Sequence, residues 1–139
     1  MIEALAADLP KARVLDLFAG TGALGLEALS RGARSADFVE TRPSSLHALR
    51  ANVALLRLRD RTRIFKRDAV PFAAALPADS YEIAFLDPPY GSRMLDMVLE
   101  SWRATRFSRI LAVEHARTHE LAAGAQGRVF DDTAVTIYR

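Results

Sequence analysis

Arg13-Val-Leu-Asp-Leu-Phe18 runs into Ala19-Gly20-Thr21-Gly22 and then Ala23-Leu-Gly-Leu-Glu-Ala-Leu-Ser30. An apolar run of strand length, a glycine turn and a segment of helical period follow one another without a gap. That order opens a βαβ unit, and such units build a mostly parallel sheet with helices on both faces. Gly20 and Gly22, lacking a Cβ, allow the tight turn and let backbone come close to a ligand. The helix beyond them offers N–H groups with no intrahelical partner. In such sheets ligands bind at the carboxyl ends of the strands, beside the first one.

The same alternation continues along the chain. Ala36–Glu40 reads as a second strand after Gly32. Ser44–Leu58 reads as a helix, with Leu46, Leu49, Val53 and Leu56 at steps of three and four and Pro43 in its first turn. Thr62–Arg67 is a third strand, Val70–Leu76 a short helix, Tyr81–Leu86 a fourth strand and Met94–Trp102 a helix. Arg109–Val113 is a fifth strand, and Arg128–Phe130 with Ala134–Tyr138 forms a closing hairpin around Asp131-Asp132. A short helix is expected from Met1. Seven strands without a long linker predict one α/β domain over residues 1–139.

Composition narrows the class. Of the 139 residues, 50% are hydrophobic and 26% charged, the balance of a soluble globular domain. No apolar run reaches the ~20 residues that span a bilayer. The acids and proline in the first dozen residues do not read as a signal peptide. With no cysteine, disulfides, Cys-ligated zinc and thiol nucleophiles are excluded. A cytoplasmic, monomeric protein is expected. Net charge is only +2, with arginine supplying nearly all the cations; guanidinium suits RNA phosphates, but a proteome rich in arginine would look the same.

The most chemical stretch is Asp87-Pro88-Pro89-Tyr90, at the end of Ile83-Ala84-Phe85-Leu86. Two prolines after a strand-terminal carboxylate hold the backbone extended and stiff, neither sheet nor helix. A fixed acceptor cluster beside a flat ring suits gripping a planar base by its exocyclic amino group.

The glycine loop admits two cofactors. Gly25 completes Gly-x-Gly-x-x-Gly, and Glu40 lies ~20 residues past Gly20, where a dinucleotide enzyme also keeps an acid. Asp16 weighs against the dinucleotide, because a carboxylate just before the loop would repel a pyrophosphate. S-adenosylmethionine has no phosphate and carries a cationic sulfonium, which an acid favours. Glu40 would accept ribose hydroxyls from either. Asp68 and Ala69, ending the third strand, would hold adenine through a carboxylate and a backbone N–H, although an acid there is also a common turn or cap residue.

Val14-Leu-Asp-Leu-Phe-Ala-Gly-Thr-Gly-Ala-Leu-Gly-Leu-Glu-Ala-Leu-Ser-Arg-Gly-Ala33, then Phe38-Val39-Glu40, Arg67-Asp68-Ala69 and Phe85-Leu-Asp-Pro-Pro-Tyr90, resemble the bacterial ribosomal RNA small subunit methyltransferase D family. That resemblance implies a class I, Rossmann-like methyltransferase fold. Its sheet would have strand order 3-2-1-4-5-7-6, with the seventh strand antiparallel. It implies S-adenosylmethionine as donor, N2 of a guanine in 16S rRNA as acceptor, and 16S rRNA or the assembling small ribosomal subunit as partner. It further implies that Asp16, Phe18, Ala19, Gly20 and Gly22 line the methionine end of the donor. Glu40 would hold the ribose, Asp68 and Ala69 the adenine, and Asp87, Pro88, Pro89 and Tyr90 the target guanine. Relatives also carry a basic and aromatic N-terminal stretch that has no counterpart here, and a glycine where this chain has Asp131. Asp-Pro-Pro-Tyr by itself is shared with DNA adenine-N6 and cytosine-N4 enzymes, which normally need a target-recognition domain.

Asp87 and a Pro88 carbonyl would accept hydrogen bonds from the guanine amine and aim its lone pair, and Tyr90 would stack on an extruded base. Arg42 and Arg93 follow strand carboxyl ends and are the expected phosphate contacts. The denser run Arg57–Arg63 leads into the amino end of a strand, on the far side, and reads as a solvated loop. His115 reads as a hydrogen-bonded surface residue. With His47 and His119 it makes no metal spacing, and no metal is expected. Trp102 and Phe107 read as core.

Overall fold

The computed structural model describes residues 1–89, 92–116, 126–130 and 133–139. Tyr90, Asp131-Asp132 and His119 lie outside the described residues. A 3-10 turn, Ile2–Leu5, precedes β1 (Arg13–Leu17), α1 (Ala23–Ser30), β2 (Ser35–Val39), α2 (Pro43–Leu55), β3 (Thr62–Phe65), α3 (Ala69–Ala74) and β4 (Tyr81–Leu86). Then come α4 (Met94–Thr105), β5 (Ser108–Ala116), β6 (Gln126–Phe130) and β7 (Thr133–Tyr138). Among the described residues the strands form one sheet in the order β3-β2-β1-β4-β5-β7-β6. Neighbours from β3 to β5 are parallel, and β7 runs antiparallel to both β5 and β6.

The central strands are largely apolar because helices cover both faces of the sheet, with Asp16 and Asp37 as buried exceptions. Val14, Phe38, Ile83, Phe85, Ile110 and Ala112 face one core, closed by Leu26 and Leu29 of α1, Leu49 and Val53 of α2, and Leu5 and Leu9. Leu15, Leu17, Val39, Leu86, Leu111 and Val113 face the other, closed by Ala69 and Ala73 of α3 and by Leu95, Val98, Leu99 and Trp102 of α4. Fully burying one such side chain contributes ~1.5–3 kcal/mol before the entropy of ordering it. Trp102 and Phe107 are core, and the Trp102 Nε1–H donates to the Ser108 carbonyl at 2.9 Å.

Several boundaries differ from the sequence reading. The first turn is 3-10 rather than α-helical. Helix α2 ends at Leu55, three residues short of the expected Leu58, because Arg57 turns into the left-handed region at φ 57°. Strand β5 reaches Ala116, beyond the apolar run that ended at Val113, so Glu114 and His115 belong to it. His115 is therefore buried rather than at the surface, with its Nε2 2.7 Å from Thr136 Oγ1 on β7.

Candidate active site

Strands β1, β2 and β4 end level, since Leu17 pairs with Val39 on one side and with Leu86 on the other. The next residue of each, Phe18, Glu40 and Asp87, therefore stands at the same end of the sheet. There a cleft of about 770 Å³ opens, lined by Phe18, Glu40, Arg42, Asp68, Ala69, Asp87, Pro88 and Pro89, with apolar walls from Val70, Met94 and Met97. A second cavity, about 750 Å³, lies at the opposite, amino ends of the strands, among Lys11, Asp79, Glu82, Arg109 and Arg139. Among the described residues that line it there is no glycine.

The loop after β1 is held from three directions. The Ala19 N–H donates to the Val39 carbonyl at 3.0 Å, and the Gly22 N–H to the Ala19 carbonyl at 2.9 Å. Asn52 of α2 donates through Nδ2 to the Thr21 carbonyl at 3.1 Å. Phe18 adopts φ 59° and Gly20 φ 59°. A bulky residue in the left-handed region is a backbone outlier, and here it stands where the chain turns beside the cleft. Gly25 is required for a different reason: a Cβ there would run into the ring of Phe38, which is fully buried.

Asp16 does not line the cleft. It is 2% exposed, and its Oδ2 accepts the Gly25 N–H at 3.1 Å, so it caps the first turn of α1 from beneath. Burial pushes its carboxyl up to about 8, against the pull of that N–H, and the neighbouring acids Asp87 and Glu40 push the same way. Ala19, Gly20 and Gly22 form the turn beside the cleft without lining it. The expected contact set for a donor's methionine end thus divides into Phe18, on the cleft, and residues that shape the loop.

Glu40 is nearly buried. Its Oε1 accepts the Gly20 N–H at 2.8 Å, and its Oε2 accepts from Thr41 and Arg42 N–H at 2.8 and 2.9 Å. Burial alone would raise its carboxyl; three backbone donors outweigh that and hold it below the usual carboxylate range. Asp68 occupies the N-cap position of α3 but makes no side-chain capping bond. Its carboxylate is exposed at the cleft and not consumed by the helix.

Asp87 is half-buried and hydrogen-bonded to Glu114 of β5. Burial, then the charge and hydrogen bond of Glu114, raise it to about 7. Sequence reading missed Glu114, which sits between Val113 and His115 with no motif around it. The Pro89 carbonyl accepts from Ser92 Oγ at 2.7 Å, which pins the turn into α4. Arg42 is exposed at the cleft, with its Nε 3.5 Å from Glu40. Arg93 is exposed at the N-cap position of α4 but does not line the cleft. Arg61 is bound to the carbonyls of Ala33 and Arg34 at the amino end of β2, so the basic run lies away from the cleft. Among the described residues no cluster of metal-ligating side chains occurs, and no helix is long and apolar enough to cross a membrane.

The cleft therefore combines a concentration of acids at strand ends, apolar walls and a rim of arginine. A cationic, adenosine-sized ligand fits that chemistry, and a pyrophosphate does not.

A family profile described as "Conserved hypothetical protein 95" matches residues 1–129. YlbH of Bacillus subtilis is 34% identical over 114 residues, which is 78% of this chain and 62% of YlbH. Ribosomal RNA small subunit methyltransferase D of Escherichia coli is 39% identical over 85 residues, 61% of this chain and 42% of that protein. The solved structure of yhhF from Escherichia coli matches with a TM-score of 0.86 at 29% identity, covering 99% of this chain and 80% of that one. The chain spans less than two thirds of the length of these curated relatives.

Proposed function

This chain belongs to the Conserved hypothetical protein 95 family, the ribosomal RNA small subunit methyltransferase D group of S-adenosylmethionine-dependent methyltransferases. From that we propose that it transfers a methyl group from S-adenosylmethionine to the exocyclic N2 of a guanine in 16S rRNA, in the cytoplasm, as a monomer. The observation that carries the reading is the level ending of β1, β2 and β4, which puts Phe18, Glu40 and Asp87 around one cleft.

When bound, the donor supplies an electrophilic methyl on a cationic sulfur. Glu40 would hold the ribose, Asp68 and the Ala69 N–H the adenine, and Phe18 with the Ala19–Gly22 loop the methionine end. Asp16 acts through the loop it braces. Asp87 and the Pro88 carbonyl would accept the two N–H bonds of the guanine amine. That aims the nitrogen lone pair at the methyl, and most of the rate gain is positioning. As the N–C bond forms, the S–C electron pair stays on sulfur and the nitrogen's proton leaves to Asp87 or solvent. Tyr90 would stack on the extruded base, and Arg42 and Arg93 would hold flanking phosphates.

The test is incubation with labelled donor and small ribosomal subunits from a strain lacking the modification. Label in N2-methylguanosine is expected, and Asp87→Ala should reduce it about 10²-fold or more while donor binding persists. Absence of transfer where a full-length relative works rejects the proposal. Donor binding without turnover would instead support a binding module. Label in duplex DNA would favour an adenine-N6 or cytosine-N4 enzyme.

A further inference from the structure

Glu114 has no role in the reading above, yet it touches the residue at its centre. Leu86 pairs with Val113 across β4 and β5, so Asp87 and Glu114 are the next residues of two adjacent parallel strands. Side chains alternate along a strand, and both carboxyls emerge on the face opposite Leu86 and Val113. Asp16 lies on that same face of β1, since its neighbours Leu15 and Leu17 pack in the other core. The two carboxyls are joined by a hydrogen bond. Their nearest oxygens are therefore ~3 Å apart. Among the described residues neither acid is paired with a cation, and Glu114's cross-strand neighbour on β7 is the apolar Val135.

Two acceptors at that spacing match a base edge that presents two adjacent donors. Guanine is such a base: N1–H and the N2 amino group lie side by side on its Watson–Crick edge. Adenine offers an amino group beside a bare N1 lone pair, which an ionised second carboxylate repels. Cytosine likewise has an acceptor at N3 next to its amine.

Resting on the guanine reading of the cleft, we propose that Glu114 is the specificity-determining residue, accepting the N1–H of the target guanine while Asp87 accepts from its N2 amine. With both carboxyls ionised, the proton between them having passed to solvent, the base would give one donor to each. Asp87 alone would serve any exocyclic amine; Glu114 makes the choice of guanine.

Glu114→Gln tests this, because its amide keeps the size and offers a donor to a bare ring nitrogen. The full chain and its variant are given labelled donor and unmodified small subunits, on the alkaline side of the value near 7 to which Asp87 is raised. Digestion to nucleosides then gives the ratio of labelled guanosine to labelled adenosine, and calorimetry gives donor affinity as a check on folding. The expected result is unchanged donor affinity with that ratio reduced about tenfold or more, the scale of a two-point base contact. An unchanged ratio overturns the role of Glu114 while leaving guanine methylation intact. A variant that binds donor but transfers to neither base also overturns it, since Asp87 would remain to hold the amine. Absence of guanosine label with the unaltered chain overturns the functional reading, and this inference with it.

Discussion

Glu40 Oε1 accepts the backbone N–H of Gly20 at 2.8 Å, which ties the end of β2 to the glycine turn that follows β1. Its second oxygen accepts from Thr41 and Arg42, so both oxygens are committed as acceptors. An amide has one acceptor oxygen, and Glu40→Gln must leave at least one of these N–H groups unmet. The expected loss is ~1–3 kcal/mol of stability together with weaker donor binding. Denaturant unfolding and calorimetry on the same preparation check both. The folded carboxyl titrates below its unfolded value, so its contribution is present above ~4.3 and fades as pH falls. The variant should lose that fading.

Asp16 behaves in the opposite sense. Raised to about 8 in the fold against ~3.9 in an unfolded chain, it keeps a proton that the unfolded state has released. Its contribution is full below the unfolded value and is lost as pH rises through about 8. Asp16→Asn mimics the neutral form and still accepts the Gly25 N–H. The variant should therefore gain stability relative to the unaltered chain as pH is raised across that window, read as the difference in unfolding midpoint.

The glycines of the loop and of α1 separate by cause. Gly25→Ala forces a methyl into the buried Phe38 ring, and overpacking of that kind costs ~1–3 kcal/mol. Gly20→Ala meets no atom within 4 Å and pays only for its φ of 59°, ~1 kcal/mol. Thermal unfolding should rank them in that order, while donor affinity should suffer at Gly20, which borders the cleft.

Arginine replacements should divide by side. Arg42→Ala and Arg93→Ala, at the carboxyl ends of the strands, are expected to raise KM for the RNA severalfold and to flatten its salt dependence, as lost phosphate contacts do. Arg57→Ala and Arg59→Ala, at the amino ends, should leave both unchanged. Steady-state transfer at two ionic strengths distinguishes the pairs.

Periodicity and turn chemistry carried the fold, because parallel strands covered on both sides are apolar runs that stop at glycine, acid or proline. The cleft was legible for the same reason: Glu40 and Asp87 each end an apolar run, and Asp68 follows the third strand. What the sequence could not show was how charges pair across strands. Asp37 sits inside a strand, buried, with Arg63 Nη2 and Tyr81 Oη each 2.7 Å from its Oδ2; nothing local marks it. Glu114 escaped notice because β5 continues past its apolar stretch, held there by pairing with β7. Asp16, expected beside the ligand, accepts the Gly25 N–H of α1, a contact set by the helix folding back over β1.

The proposed transfer depends on where the donor's sulfur sits. A crystal structure of this chain with S-adenosylhomocysteine tests it most directly. The prediction is a sulfur between the turn at Phe18 and the Asp87-Pro88 backbone, adenine against Asp68 and Ala69, and ribose at Glu40. A ligand lodged instead among Lys11, Arg109 and Arg139 at the amino ends, or a cleft that stays closed to it, would contradict the account.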